Sequence, residues 1–262
     1  MSSLTIIQQK DAVHLITDAA HYDMEGVVCS IASKVEELPN SGCVFALRGA
    51  SYATIPLRFL LSRLRSLDAV TNALPGIISV IDGTFDDLTA GQAQPEQRHF
   101  EVTVAGWSDR MQSLVVGIAT TYEPSDPNDP LGFSFQPGYE TGVPFYAPPA
   151  VMIPPVDFPH AIGREIETQE DIDSLDPAVD GLAMFEAQRR YPALFAGDVQ
   201  YLVGGFAELT TVRREGVTRR ILKEWPDEVG RPLQPEGAAP VEELRRQLAE
   251  ADVQPVRRWM TG

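Results

Sequence analysis

Short apolar and β-branched runs, separated by turn chemistry, fill the first fifty positions of the chain. Leu4–Gln8, Ala12–Thr17, Val27–Ile31, Lys34–Leu38 and Cys43–Leu47 read as strands, with Lys10-Asp11 and Pro39-Asn40-Ser41-Gly42 as turns between them. Cys43–Leu47 is almost continuously apolar, which predicts burial on both faces. The period then changes. Leu57, Leu60, Leu61, Leu64 and Leu67 recur at helical spacing, and Pro56 suits a first helical turn. A second stripe, Ile77, Ile78, Ile81, Phe85 and Leu88, is interrupted by Gly83. Alternation returns at Phe100, Val102 and Val104, and Leu114–Ala119 answers it across Ser108-Asp109-Arg110, which predicts a hairpin.

Residues 123–160 break both patterns. This stretch holds ten prolines, which remove backbone donors and exclude it from the middle of a sheet. It also carries Phe133, Phe135, Tyr139, Phe145 and Tyr146, aromatic surface that is costly to leave in water, so an ordered excursion is expected. Asp176-Pro177 reads as a helix start, with Val179, Leu182 and Phe185 as the buried face and an end near Pro192. Phe206–Arg213 and Val217–Glu224 flank Glu215-Gly216 as a last hairpin. Pro226–Pro240 reads as a linker, Val241–Ala251 as a short amphipathic helix, and Pro255–Gly262 as a tail. The organisation expected is therefore a domain over 1–225, with 123–160 as an insertion, followed by a C-terminal extension over 226–262.

Composition narrows the function classes. The 262 residues are 44% hydrophobic, enough for a sizeable core. The formal charge is −16, which argues against general binding to nucleic acid or to an anionic membrane surface. Cys29 and Cys43 form no CxxC and sit in apolar runs, so buried free thiols in a reducing compartment are expected. No basic segment followed by an apolar run opens the chain, and no stretch approaches the ~18 apolar residues of a spanning helix. A cytoplasmic protein without a membrane partner is expected. His14, Asp18 and His21 invite a metal, yet on a strand positions 14 and 18 lie about 13 Å apart at ~3.3 Å per residue. No Walker A or GxGxxG pattern is present. Neither metal nor cofactor is expected.

Chemistry concentrates at the start. Ser2, Asp18 and Lys34 follow one another at intervals of sixteen residues. Removal of Met1 would give Ser2 a free α-amine, able to act as the base for its own hydroxyl. A nearby ammonium, Lys34, would hold that amine's pKa down, and Asp18 would keep Lys34 charged.

This constellation resembles the β subunits of the 20S proteasome and their bacterial relatives, which are N-terminal-nucleophile hydrolases. The match runs without insertion or deletion from Ser2 to about Ala50. The family's nucleophile falls on Ser2, its aspartate on Asp18 and its lysine on Lys34. Its oxyanion turn falls on Leu47-Arg48-Gly49, where the backbone N–H of Arg48 or Gly49 is the candidate donor. Val104-Ala105-Gly106-Trp107-Ser108-Asp109-Arg110 resembles a strand–turn–strand of the same family, and a weaker likeness returns near 175–225. The resemblance implies an α+β fold, a four-layer αββα sandwich with the proline-rich insertion and the C-terminal extension added. Three features depart from the family: Arg48 in a turn where small residues are usual, no serine-glycine-serine loop, and the excursion at 123–160.

Those departures incline the sequence reading towards a structural or assembly subunit on this fold, for example a bacteriophage virion or tail component, with activity lost. Its partners would be further copies of the chain or a larger protein assembly, joined through 123–160 and 241–262. Arg257, Arg258 and Trp259 suit such an interface. The alternative is an active amidohydrolase or peptidase. It would use Ser2, with Asp18, Lys34 and Gly49 in support, on a peptide or small amide.

Overall fold

The computed structural model describes residues 3–91, 98–121, 138–141, 145–146, 158–195, 198–238 and 240–250. The opening strands are β1 (Leu4–Gln8), β2 (Val13–Thr17), β3 (Ala20–Tyr22), β4 (Val28–Ile31), β5 (Val35–Leu38) and β6 (Cys43–Gly49). Helices α1 (Thr54–Leu61), α2 (Leu67–Gly83) and α3 (Phe85–Leu88) follow. Next come β7 (Phe100–Ser108), β8 (Ser113–Thr120), β9 (Gly138–Thr141) and β10 (Phe145–Tyr146), then α4 (Phe158–Ile162), α5 (Gln169–Asp173) and α6 (Asp180–Arg190). The last elements are β11 (Ala193–Phe195), β12 (Asp198–Gln200), β13 (Phe206–Arg213), β14 (Gly216–Glu224) and α7 (Val241–Glu250).

The protein is α+β with antiparallel sheets. One five-stranded sheet has the order β10-β1-β2-β13-β14, so the N-terminal hairpin is completed by the C-terminal one. The other runs β5-β6-β7-β8-β9, with α1 to α3 inserted between β6 and β7. Alternation along the strands divides the core. Leu4, Ile6, Val13 and Leu15 of the first sheet cluster with Val35, Val44, Ala46, Ala105 and Val116 of the second. The intervening Phe45, Val102 and Val104 turn instead to Leu57, Leu61, Leu67, Val70, Leu74 and Ile78 of α1 and α2. Ile7, Ile16 and Leu209 pack with Ile172, Met184 and Phe185 of α5 and α6. Gly106 lies opposite Cys43, and a Cβ there would come within 2.6 Å of the Cys43 Cβ, so only glycine fits that crossing. Trp107, next to it, carries the Arg214 guanidinium 4.4 Å above its ring.

Several expectations are corrected. The leucines from Leu57 to Leu67 do not share one helix: α1 stops at Leu61, and Ser66 caps α2 by accepting from the Ala69 N–H at 3.1 Å. The spacing survives the break because both helices face the same cluster. Phe85 and Leu88 fall in the separate α3, and Leu88 is exposed. Asp176 does not cap α6. It accepts from the Ala178 and Val179 N–H groups in a turn, α6 begins at Asp180, and Val179 is exposed. Cys29 is exposed on β4, which forms a two-stranded sheet with β3, whereas Cys43 is buried.

The stretch after Pro226 is more than a linker. Asp227 is buried against Arg189, Val28 N–H donates to Arg231 O at 2.9 Å, and Leu233 is buried with Val28 and Tyr201. Arg245 on α7 pairs with Asp198, so the terminal helix is tied to β12. Within the proline-rich stretch, β9 and β10 each add an edge strand, one to each large sheet. This agrees with proline's confinement to edges. Phe158, Pro159 and His160 open α4, while residues 123–137, 142–144 and 147–157 of that stretch, and the tail from 251, lie outside the described residues.

Candidate active site

Leu4 pairs with Thr17, so the next couple along that ladder is Ser3 and Asp18. The Ser3 N–H donates to Asp18 Oδ1 at 3.0 Å. Lys34, immediately before β5, brings its Nζ to the same oxygen at 2.8 Å. Asp18 Oδ2 accepts from the Gly204 N–H at 3.4 Å. Asp18 is completely buried and the Lys34 side chain is 3% exposed. Such a pair loses hydration on both sides, and only good geometry with further hydrogen bonds offsets that loss. Here the carboxylate has a cation and two backbone donors.

Burial holds the Lys34 pKa below the ordinary lysine range, while the charge and hydrogen bond of Asp18 pull it back up. The Lys34 ammonium also lies 5.9 Å from the Tyr22 ring centroid. His21 is lowered too, first by burial and then by Lys34, with Asp18 acting in the opposite direction. A buried amine perturbed by burial and by a specific carboxylate partner marks a candidate functional site.

Ser2 lies outside the described residues. Its covalent neighbour Ser3 is held twice: by the main-chain bond to Asp18 and by its hydroxyl, which donates to Gln188 Oε1 of α6. Asp18 and Lys34 are therefore brought together directly, at the residue that follows the expected nucleophile.

Gly49 ends β6 with φ of +90°, a conformation that L side chains rarely adopt. Val35 pairs with Ala46, so the stretch after Lys34 and the stretch before Gly49 run side by side. Arg48 is buried opposite Glu101, with Nε 3.0 Å from Oε1 and Nη2 3.3 Å from Oε2. The guanidinium is thus engaged inside the protein and does not stand out as an obstruction. Asp176, read in the sequence as a helix start, serves its own turn.

Sequence reasoning missed the segment behind Asp18. Val203, Gly204 and Gly205 precede β13, and their backbone groups are committed one after another. Gly204 O accepts from the Ala19 and Ala20 N–H groups at 2.9 and 3.0 Å. Gly205 has φ of +79°, and a Cβ on it would lie 2.8 Å from Ile31 Cγ2 and 3.2 Å from Ala20 N. The Gly204-Gly205 doublet was the available signal: two adjacent glycines before a strand mark a close backbone approach.

No known protein family matches the chain, and no curated protein matches it.

Proposed function

We propose that the chain is an N-terminal-nucleophile amidohydrolase acting on a peptide or small amide. The fold proposed with it is the four-layer αββα sandwich, supported by the apolar cluster between the two large sheets and by the two clusters that join their other faces to helices. The observation that carries the functional reading is the buried Asp18–Lys34 pair bonded to the Ser3 backbone, one residue from Ser2.

After loss of Met1, Ser2 Oγ attacks the carbonyl carbon and forms the new C–O bond. Its proton passes to the Ser2 amine and then to the leaving amine as the C–N bond breaks. Water cleaves the resulting ester and restores the hydroxyl. Lys34 favours the deprotonated hydroxyl and the neutral amine, Asp18 holds Lys34, and the Gly49 turn is the candidate donor to the oxyanion. Intact-mass measurement should find Met1 removed, and Ser2→Ala should abolish hydrolysis of amide reporters. Hydrolysis by protein that retains Met1 would overturn this mechanism.

One observation favours the second reading, a subunit of a larger assembly. Ile55 and Phe59 on α1 and Val80 on α2 are exposed, and Arg63 covers the Phe59 ring at 4.1 Å. No acidic residue occurs from 38 to 67, in a chain of charge −16. Light scattering distinguishes the readings: a higher-order particle dispersed by Phe59→Asp, from protein inert towards amides, supports the assembly role.

A further inference from the structure

Arg189 and Asp227 form a buried pair remote in sequence from Asp18 and Lys34. Arg189 Nη2 donates to Asp227 Oδ1 at 2.7 Å and Nη1 to Oδ2 at 2.9 Å. This forked geometry fixes the two planes relative to each other. The pair does more than satisfy itself. Arg189 Nη1 also donates to Val203 O at 2.6 Å, and Asp227 Oδ2 accepts from the Gly205 N–H at 2.7 Å. Trp225, whose N–H donates to Gly205 O at 2.9 Å, lies under the guanidinium at 4.6 Å. Both sides of Gly204 are therefore clamped. A Cβ on Gly204 would lie 2.4 Å from Leu233 Cδ2 and 2.8 Å from Asp227 Oδ2, so the clamp sits directly against the backbone it holds. The Gly204 N–H is the group that donates to Asp18 Oδ2.

We infer that Arg189 and Asp227 are positioning residues for the Asp18–Lys34 pair: they grip Val203–Gly205 so that the Gly204 N–H fixes the second oxygen of Asp18. With both oxygens held, the carboxylate cannot rotate away from Lys34, and the lysine keeps the partner that offsets its burial. Asp227 lies in the stretch that the sequence suggests is a linker, so that stretch takes part in building the site. The catalytic consequence rests on the proposed hydrolase function; the effect on Lys34 does not.

The chain has three lysines, so protein labelled with 15N and 13C at lysine gives three side-chain signals, with Lys10 as an exposed internal reference. Arg189→Lys keeps the charge but cannot bridge Val203 O and both Asp227 oxygens. It should move the Lys34 titration to lower pH and leave Lys10 unmoved. Asp227→Asn should do the same. Trp225→Phe, which loses packing but keeps the fork, serves as a stability control and should leave Lys34 in place. If wild-type protein hydrolyses amides, Arg189→Lys should lower kcat by roughly 10- to 100-fold with KM little changed.

An unmoved Lys34 titration in Arg189→Lys, with reduced thermal stability, would overturn the inference and leave a purely structural clamp. Absence of wild-type hydrolysis would overturn the hydrolase reading alone, since the titration still decides the clamp. If neither variant folds, amide exchange in the wild type decides. Gly204 and Gly205 should exchange as slowly as the strands of the core, and exchange at exposed-loop rates would overturn the inference.

Discussion

Lys34 and Asp18 meet at 2.8 Å in the interior, an ammonium and a carboxylate that are each almost fully out of water. Removing one partner strands the other. Lys34→Met should destabilise the fold by about 3–5 kcal/mol, because Asp18 keeps a buried charge with only backbone donors. Asp18→Asn should cost less, since Lys34 already lies below the normal lysine range and can shed its proton. The double variant should recover most of the loss from Lys34→Met. Urea unfolding of the four proteins reads the coupling, and additive losses would contradict it.

His14 should set part of the acid sensitivity. Burial, then Arg213, lowers its pKa to about 4, against an upward pull from Asp176. Its Nε2 faces Gln9 Oε1 at 3.1 Å and its Nδ1 faces Thr211 Oγ1 at 3.0 Å. Gln9 Nε2 donates to Ile172 O and Leu175 O, which leaves Gln9 Oε1 as an acceptor and assigns the proton of neutral His14 to Nε2. The unfolded chain takes up a proton near pH 6.5, before the folded protein does. Stability from this residue is therefore complete above about pH 6.5 and is lost as pH falls towards 4, by at most about 3 kcal/mol. His14→Gln should flatten the melting temperature across that window.

Arg48 and Glu101 should behave as a second coupled pair. Glu101 is fully buried, so Arg48→Ala should be destabilising by removing the guanidinium paired with its carboxylate. Arg48→Met with Glu101→Leu should be far milder, as an apolar pair suited to the same strand neighbours. Thermal denaturation of the three variants checks the ordering.

Gly205→Ala should be destabilising by roughly 1–3 kcal/mol from the backbone alone, because φ there is +79°. The contact with Ala20 N, a backbone atom, adds to this since it cannot swing aside. Differential scanning calorimetry should place the loss above that of Gly42→Ala, where φ is also positive but a Cβ would meet nothing within 4 Å.

The parts legible in the sequence are those where one local pattern decides the structure. Leu4–Gln8 was readable to the residue, and the hairpin of β13 and β14 nearly so, because short apolar and β-branched runs bounded by a polar turn specify them without help from elsewhere. The pairing of Asp18 with Lys34 was legible only through the family resemblance at sixteen-residue spacing, since β2 and β5 lie in different sheets and share no register. What escaped depends on distant chain. β3 and β11 are three residues each, too short to show a period. The turn between α1 and α2 hid behind leucines that keep helical spacing across it. Arg189 and Asp227 are 38 positions apart, and nothing in either neighbourhood announces the other.

The two sulfhydryls differ in a way that experiments can use. Cys43 is enclosed, and burial pushes its thiol up to about 11, whereas Cys29 faces solvent. A maleimide dye should therefore attach at one position without any engineering. That position lies on the strand paired with His21 and Tyr22, so its emission would sense the environment a few residues ahead of Lys34.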